Sequence, residues 1–425
     1  VAVPSSKPTI SLEGKLNCPY ISSSGGTAYL QIILTTSGFE RQSRERRPMN
    51  LSVVLDRSGS MSDQQKMEYA KAALTKLIEQ LERDDIFSLV VYDDVVDLLH
   101  PAQQVGSSKN RLKQLVSDIY PRNSTNLGGG MIEGLKQVEK NVGKEYVNRV
   151  ILLSDGLANQ GITSPIELNH IAKRHRERSI SLTTMGVGLD YNENLMIGLA
   201  ESGGGNYYFI ESPSQLASMM NREFKSASSI VAQNVSIELQ LGKDVRLLDV
   251  IGCETVSDRN AYRIPIGDVY ANDIREITVE LSVPKGSGTA TVATGKVCYE
   301  SSRISSRPSF AASVMYTSDL VLIDRNRDME IQAKADIAVS TRDVERAMKA
   351  LDEGRMEEAQ AQLQSAKAFL GSSPAAASSG AGGDAIRAQA DRLNSYEATL
   401  RNSDIEASQV KKAIQYENYR VQKKK

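Results

Sequence analysis

Tryptophan is absent from this chain, phenylalanine occurs 6 times, and aromatic residues make up only 5% of 425 positions. Cysteine and histidine occur 3 times each. Cys18, Cys253 and Cys298 share no CxxC spacing, which argues against a thiolate zinc site. Three free thiols, or one disulfide joining Cys18 to Cys253 or Cys298, both fit that count. His100, His170 and His175 do not cluster, and the last two fall on a basic helix, read as solvent-facing. No apolar run approaches the roughly 20 residues of a membrane helix. Charge of one sign is also lacking. The formal net charge of −1 gives no field directed at nucleic acid or an anionic membrane. There is no Walker A pattern. GVGLD, Gly186 to Asp190, lacks the third glycine and the following acid of a dinucleotide fingerprint. No Ser-His-Asp or Cys-His set is visible.

What is present is an ordinary globular composition, 40% apolar and 24% charged, on a chain too long for one core. Residues 1–47 read as β, with TAYLQIILTT as the clearest strand. RQSRERRP reads as an exposed linker. From Pro48 the pattern becomes short apolar runs alternating with helical spacings. NLSVVL, DIFSLVVY, NRVILLS, SISLTTMGV and NYYFI are the runs. Met67, Ala70, Leu74, Leu77, Ile78 and Leu81 mark the first helix. Such alternation predicts right-handed crossovers and a doubly wound, mostly parallel sheet with helices on both faces.

Residues 229–310 return to β, and residues 1–47 are too few for a sheet alone. We therefore expect 1–47 and 229–310 to form one β-sandwich-like domain with the α/β unit, 48–228, inserted in it. Residues 311–425 are expected to be helical, with an αα-hairpin ending at Gly371. SSPAAASSGAGG, within 371–384, reads as a flexible linker. Asn50, Asn123 and Asn234 sit in N-x-S/T triplets, but Asn50 opens a core strand and Asn123 lies beside a candidate ligand. A bacterial, unglycosylated protein is the expectation. The chain starts at Val1 without a signal-peptide pattern, consistent with a removed leader or a trimmed chain. The expected location is secreted, periplasmic or cell-surface, with the cytoplasm left open.

In an open parallel sheet, ligands sit beyond the carboxyl ends of the strands. Three polar loops arrive there: LDRSGS after the first strand, RNSTNLGGG, and LLSDGLANQG. Together they offer Asp56, Ser58, Ser60, Thr125 and Asp155 to one point. The first three alternate along a tight turn that Gly59 permits. All are hard oxygen donors, as Mg²⁺ requires, and nothing soft is present to hold copper or thiolate zinc. Two carboxylates and three neutral hydroxyls neutralise a divalent cation weakly, so the ion would favour an external carboxylate as its last ligand.

Asp56-x-Ser58-x-Ser60, Thr125 and Asp155 in LLSDG resemble the metal-ion-dependent adhesion site of von Willebrand factor type A domains. The resemblance covers about Pro48 to Ser228. The wording of LDRSGSM, STNLGGG and NRVILLSDGLANQG is similar to bacterial proteins labelled calcium-activated chloride channel-like and to inter-alpha-trypsin inhibitor heavy chains. It implies a doubly wound sheet, Mg²⁺ (or Mn²⁺ or Ca²⁺) as the ion, and binding of a protein ligand through an Asp or Glu rather than catalysis.

The plainer readings are local. DRSGS alone could be a capped turn, with Ser60 or Ser62 at the N-cap of the next helix. Asp93 and Asp94 read as a solvated turn, and the glycine triplets as aids to loop folding and helix approach. Two other functions compete with adhesion. One is a scaffold or assembly subunit acting through its helical tail and β-domain. The other is a metal-dependent phosphatase, which would need a second carboxylate two residues after Asp56, where Ser58 stands.

Overall fold

The computed structural model describes residues 9–37, 47–122, 124–143, 145–258, 261–299, 301–302, 307–401 and 407–423. Most of RQSRERRP, Asn123 and the last two residues of the lysine tail lie outside them.

The chain starts with strands β1 (Ile10–Leu16), β2 (Tyr20–Ser22) and β3 (Gly26–Thr36). The α/β unit follows. Its strands and helices are β4 (Met49–Asp56), α1 (Lys66–Gln80), β5 (Ile86–Tyr92), β6 (Val96–Gln104), α2 (Lys109–Ser117) and α3 (Leu127–Glu139). It continues with β7 (Val147–Ser154), α4 (Pro165–Arg176), β8 (Ser181–Val187), α5 (Glu193–Ser202), β9 (Gly204–Ile210) and α6 (Leu216–Ser228).

Its six-stranded sheet runs β6-β5-β4-β7-β8-β9, parallel except at β6. Alternation along the central strands splits the core in two. Met49, Leu51, Val53 and Leu55 of β4 pack with α1, α2 and α6. Val54, with Val150 and Leu152 of β7, packs with α3, α4 and α5. Strands covered on both faces must be apolar almost throughout, which is what NLSVVL and NRVILLS supply. Each fully buried Leu or Val contributes on the order of 1.5–3 kcal/mol. β6 is a strand that was not among the expected runs. It carries Pro101, alternates in burial and pairs antiparallel with β5, as an edge strand can.

Next come β10 (Ile230–Leu241), β11 (Arg246–Val250), β12 (Val256–Asp258), β13 (Ala261–Tyr270), β14 (Ile274–Val283) and β15 (Thr289–Cys298). β16 (Ser301–Ser302) and β17 (Ser309–Thr317) end the strands. One sheet is β1-β3-β14-β11 and the other β12-β13-β10-β15-β17-β2, with β16 on β10. β3 and β14 pair with Ile32 opposite Ile277. Leu30, Ile32 and Leu34 of β3 share a core with Val235, Ile237 and Leu239 of β10. The α/β unit thus sits between strands of the same two-sheet body. β17 also moves the start of the helical region: residues 311–317 are strand. The thiols of Cys18, Cys253 and Cys298 are free, and Cys18 Sγ donates to the Ile323 carbonyl at 3.3 Å.

The helices are α7 (Leu320–Arg325), α8 (Met329–Asp352), α9 (Met356–Gly371), α10 (Ala381–Arg401) and α11 (Ala407–Lys423). α8 and α9 form the hairpin, closed by Met348, Leu363, Ala366 and Leu370. The segment read as a flexible linker is instead a tight, packed turn. Ala375 is fully buried, and Ser373 Oγ donates to the buried Asp336 at 2.6 Å. The glycines of AGGD begin α10 rather than a loop. Gly382 lies so near Met329 that a Cβ would meet its carbonyl at 2.6 Å. α11 returns to the α/β unit: Tyr419 joins its core and accepts a hydrogen bond from the Tyr207 amide at 3.3 Å. Lys412 Nζ donates to the Tyr191 carbonyl at 2.6 Å and also pairs with Glu193. No described helix is long and apolar enough to cross a membrane.

Candidate metal centre

β4 connects to β5 on one side, while β7 lies against its other side. The strand order therefore reverses between β4 and β7, and the crevice at their carboxyl ends is where this sheet can hold a ligand. Asp56 is the last residue of β4, and Asp155 directly follows β7. Both are fully buried.

The two carboxylates are held rigidly. Asp56 Oδ1 accepts the Ser58 amide at 2.8 Å and Oδ2 accepts the Ser154 hydroxyl at 2.8 Å. Asp155 Oδ1 accepts the Ser60 hydroxyl at 2.8 Å, and Ser60 Oγ lies 3.2 Å from Ser58 Oγ. Thr125 arrives on the loop before α3. Its amide donates to Asn159 Oδ1 at 2.9 Å, and its carbonyl accepts the Asn159 amide at 3.1 Å. A Cβ on Gly156 would lie 3.3 Å from Thr125 Oγ1, 3.6 Å from Ser60 Oγ and 3.9 Å from Ser58 Oγ. The structure thus brings all five sequence-selected residues to one small space.

Burial pushes the Asp56 carboxyl up to about 6, and the charge of Asp155 pushes the same way. Burial raises Asp155 as well, against the hydrogen bond and charge of Lys66. Among the described residues no cation pairs with Asp56, so a fully buried carboxylate stands without a counter-charge. That is the environment a divalent cation would relieve. No group of three or more His, Cys, Asp or Glu that could hold a metal occurs among the described residues. The donors here are instead hydroxyls with two acids, a set suited to a hard ion.

Sequence reading missed the supports. Lys66, 3% exposed, places Nζ 2.8 Å from Asp155 Oδ2 and 3.7 Å from Asp190 Oδ2. Asp93 is not a solvated turn residue; only Asp94 beside it is exposed. Asp93 Oδ2 accepts Arg57 Nε at 2.9 Å and Arg122 Nε at 2.7 Å, and Oδ1 caps the Val95 amide at 2.7 Å. Both arginines reach Asp97 too. This cluster clamps the Ser58 turn to the loop carrying Thr125. The Arg122 amide donates to the Arg57 carbonyl at 2.7 Å, and the Asn126 amide to that of Asp93 at 2.7 Å. One signal was available: arginines at 57 and 122 flank candidate ligands, with acids at 93 and 97 where β5 turns into β6.

Nor is α1 capped by Ser60 or Ser62. Its N-cap is Gln65, which is left-handed and makes no side-chain cap. The Gly128–Gly130 triplet opens α3, and Asn126 caps that helix by accepting the Gly129 amide at 2.9 Å. A Cβ on Gly130 would meet Tyr92 Cδ1 at 2.5 Å. The triplet therefore lets helix and sheet approach closely. His170 is exposed, whereas His175 is partly buried, with Nδ1 2.9 Å from the Ile171 carbonyl.

Residues 50–222 match the family model of the von Willebrand factor type A domain. The α/β unit belongs to that family. Uncharacterized protein YfbK of Escherichia coli K12 is 30% identical over 202 residues, 47% of this chain and 35% of that protein. Inter-alpha-trypsin inhibitor heavy chain H3 of Mus musculus is 24% identical over 198 residues, 45% of this chain and 22% of that protein. These matches thus span well under half of each relative's length. The likeness in fold extends further. A von Willebrand factor type A structure from Catenulispora acidiphila superposes with TM-score 0.74 at 16% identity, covering 100% of this chain and 98% of that one. The ArnB paralog VWA2 of Sulfolobus acidocaldarius gives 0.61 at 18% identity, with 99% coverage of both. Domains of this class generally serve protein–protein interaction and adhesion and commonly bind a divalent ion.

Proposed function

We propose that this protein binds a partner protein through a divalent cation held by Asp56, Ser58, Ser60, Thr125 and Asp155. Mg²⁺ is the expected ion, with Mn²⁺ or Ca²⁺ able to replace it. Bound there, the ion would offer an open position to an Asp or Glu of the partner. The supporting observation is the convergence of three hydroxyls beside two fully buried carboxylates, one of which, Asp56, pairs with no cation among the described residues. Ser58 supplies no general acid two residues after Asp56, so the reading is of a binding site and not of an enzyme. A secreted, periplasmic or cell-surface location fits an adhesive role.

The test is Mn²⁺ titration of the full chain followed by calorimetry or by the electron spin resonance of free Mn²⁺. Wild type should bind one ion. Asp56→Ala and Thr125→Ala should lose it while keeping the circular dichroism of the folded chain. Equal binding by all three proteins places the ion elsewhere. A scaffold role has its own support in α11, which joins the helical region to the α/β unit through Tyr419 and Lys412. If partner capture survives chelation but not removal of residues 407–425, the scaffold reading replaces adhesion.

A further inference from the structure

One cation already occupies the neighbourhood of the proposed ligands. Lys66 is 3% exposed, and its ammonium is 2.8 Å from Asp155 Oδ2. Asp155 uses its other oxygen for Ser60. The lysine reaches this place against local preference. It is the first residue of α1, where the helix dipole disfavours positive charge. The chain enters it through Gln64 and Gln65, both at positive φ, 50° and 58°. Gly188 keeps the other side open, since a Cβ there would lie 3.2 Å from Lys66 Cε. Asp190, the remaining acid at 3.7 Å, has a side chain 73% exposed, so water screens it.

The charge balance gives this lysine a role. Asp56, Asp155 and Lys66 together carry one net negative charge. A divalent cation turns that into one net positive charge, whereas without the lysine the loaded site would be neutral. We propose that Lys66 is a tethered cation that weakens the site's hold on metal alone and makes the loaded site demand an external carboxylate. Metal and acidic partner then bind as a linked pair, each raising the affinity of the other. Lys66 acts as the residue that selects an anionic ligand. This inference rests on the proposed metal site.

The experiment measures Mn²⁺ affinity of the full chain without any partner. Lys66→Met should tighten Mn²⁺ binding about tenfold, the scale on which one nearby charge shifts another's equilibrium. Lys66→Arg, which keeps the charge, should stay near wild type. Equal or weaker Mn²⁺ binding by a folded Lys66→Met protein overturns the inference and leaves the metal site standing. Failure of wild type to bind Mn²⁺ at all removes the site and the inference together. A second measurement does not depend on the methionine variant folding. Wild-type Mn²⁺ affinity should rise about twofold or more when acetate replaces chloride at constant ionic strength, after correction for Mn²⁺–acetate association in solution. An unchanged affinity in acetate overturns the linkage.

Discussion

The Arg149 guanidinium donates to Asp268 Oδ2 at 2.7 Å, joining β7 of the α/β unit to β13 of the sandwich. The same group pairs with Glu223 of α6, and neither Arg149 nor Glu223 is exposed. Ser181 also donates to Asp268, at 2.8 Å, while Thr183, Asn206 and Tyr208 donate to Glu223 at 2.7–2.8 Å. Removing one partner of such a cluster strands the remaining charges. Arg149→Met should therefore destabilise the chain by about 3–5 kcal/mol in urea denaturation. Mn²⁺ binding at the far end of β7 should persist in the protein that remains folded.

Gly130→Ala should cost about 1–3 kcal/mol, because its Cβ would overlap the ring of Tyr92. Tyr92 cannot retreat freely, since its hydroxyl donates to the Leu153 carbonyl at 3.1 Å. The displaced α3 carries the Thr125 loop with it. Weaker Mn²⁺ binding, read in the same titration, should accompany the lowered melting temperature.

Metal should stabilise the wild type by about 3 kcal/mol at a concentration a hundredfold above the dissociation constant. Asp56→Asn should abolish that gain in a thermal melt. Without metal the pH dependence has a definite sign. Burial raises the folded Asp56 carboxyl to about 6 from 3.8, so the folded state takes up this proton first. Stability of the wild type relative to Asp56→Asn should rise as pH falls from about 6 towards 4, by on the order of 3 kcal/mol. A flat difference across that window contradicts the buried, uncompensated charge.

Glu193 has the opposite sign. Burial pushes its carboxyl up, but hydrogen bonds from Lys411 and Lys412 outweigh burial and leave it below the ordinary glutamate range. Its contribution is complete above the unfolded value and is lost as pH falls through the folded one. Protection factors of α11 amides, corrected for the intrinsic pH dependence of exchange, should therefore fall on acidification in wild type. Glu193→Gln should exchange rapidly already at neutral pH.

Much of the fold is legible because buried parallel strands allow little besides apolar residues. NLSVVL and NRVILLS could hardly be anything else, and each ends at a polar loop. The five candidate ligands were visible because their loops follow such strands. Lys66 was not, since nothing in a helical pattern distinguishes a buried first-turn lysine from a solvated one. Asp93 was misread because its partners, Arg57 and Arg122, are brought to it only by the sheet. β6 was missed because Pro101 and half-exposed alternation are tolerated at an edge. The segment after Gly371 looked flexible by composition, yet small residues are also what a tight buried turn needs. Local chemistry was readable; what long-range packing does to it was not.

β7 carries Arg149 near one end and stops beside Asp155 at the other. A tug on a partner seated at Asp155 would travel down this single strand and pass through Arg149 into the sandwich. β4 and β8 flank β7 in parallel on both sides. Their hydrogen bonds would be loaded together in shear, not opened one at a time. If the proposed site grips a partner, its load would thus pass to the sandwich along paired parallel strands rather than through a loop.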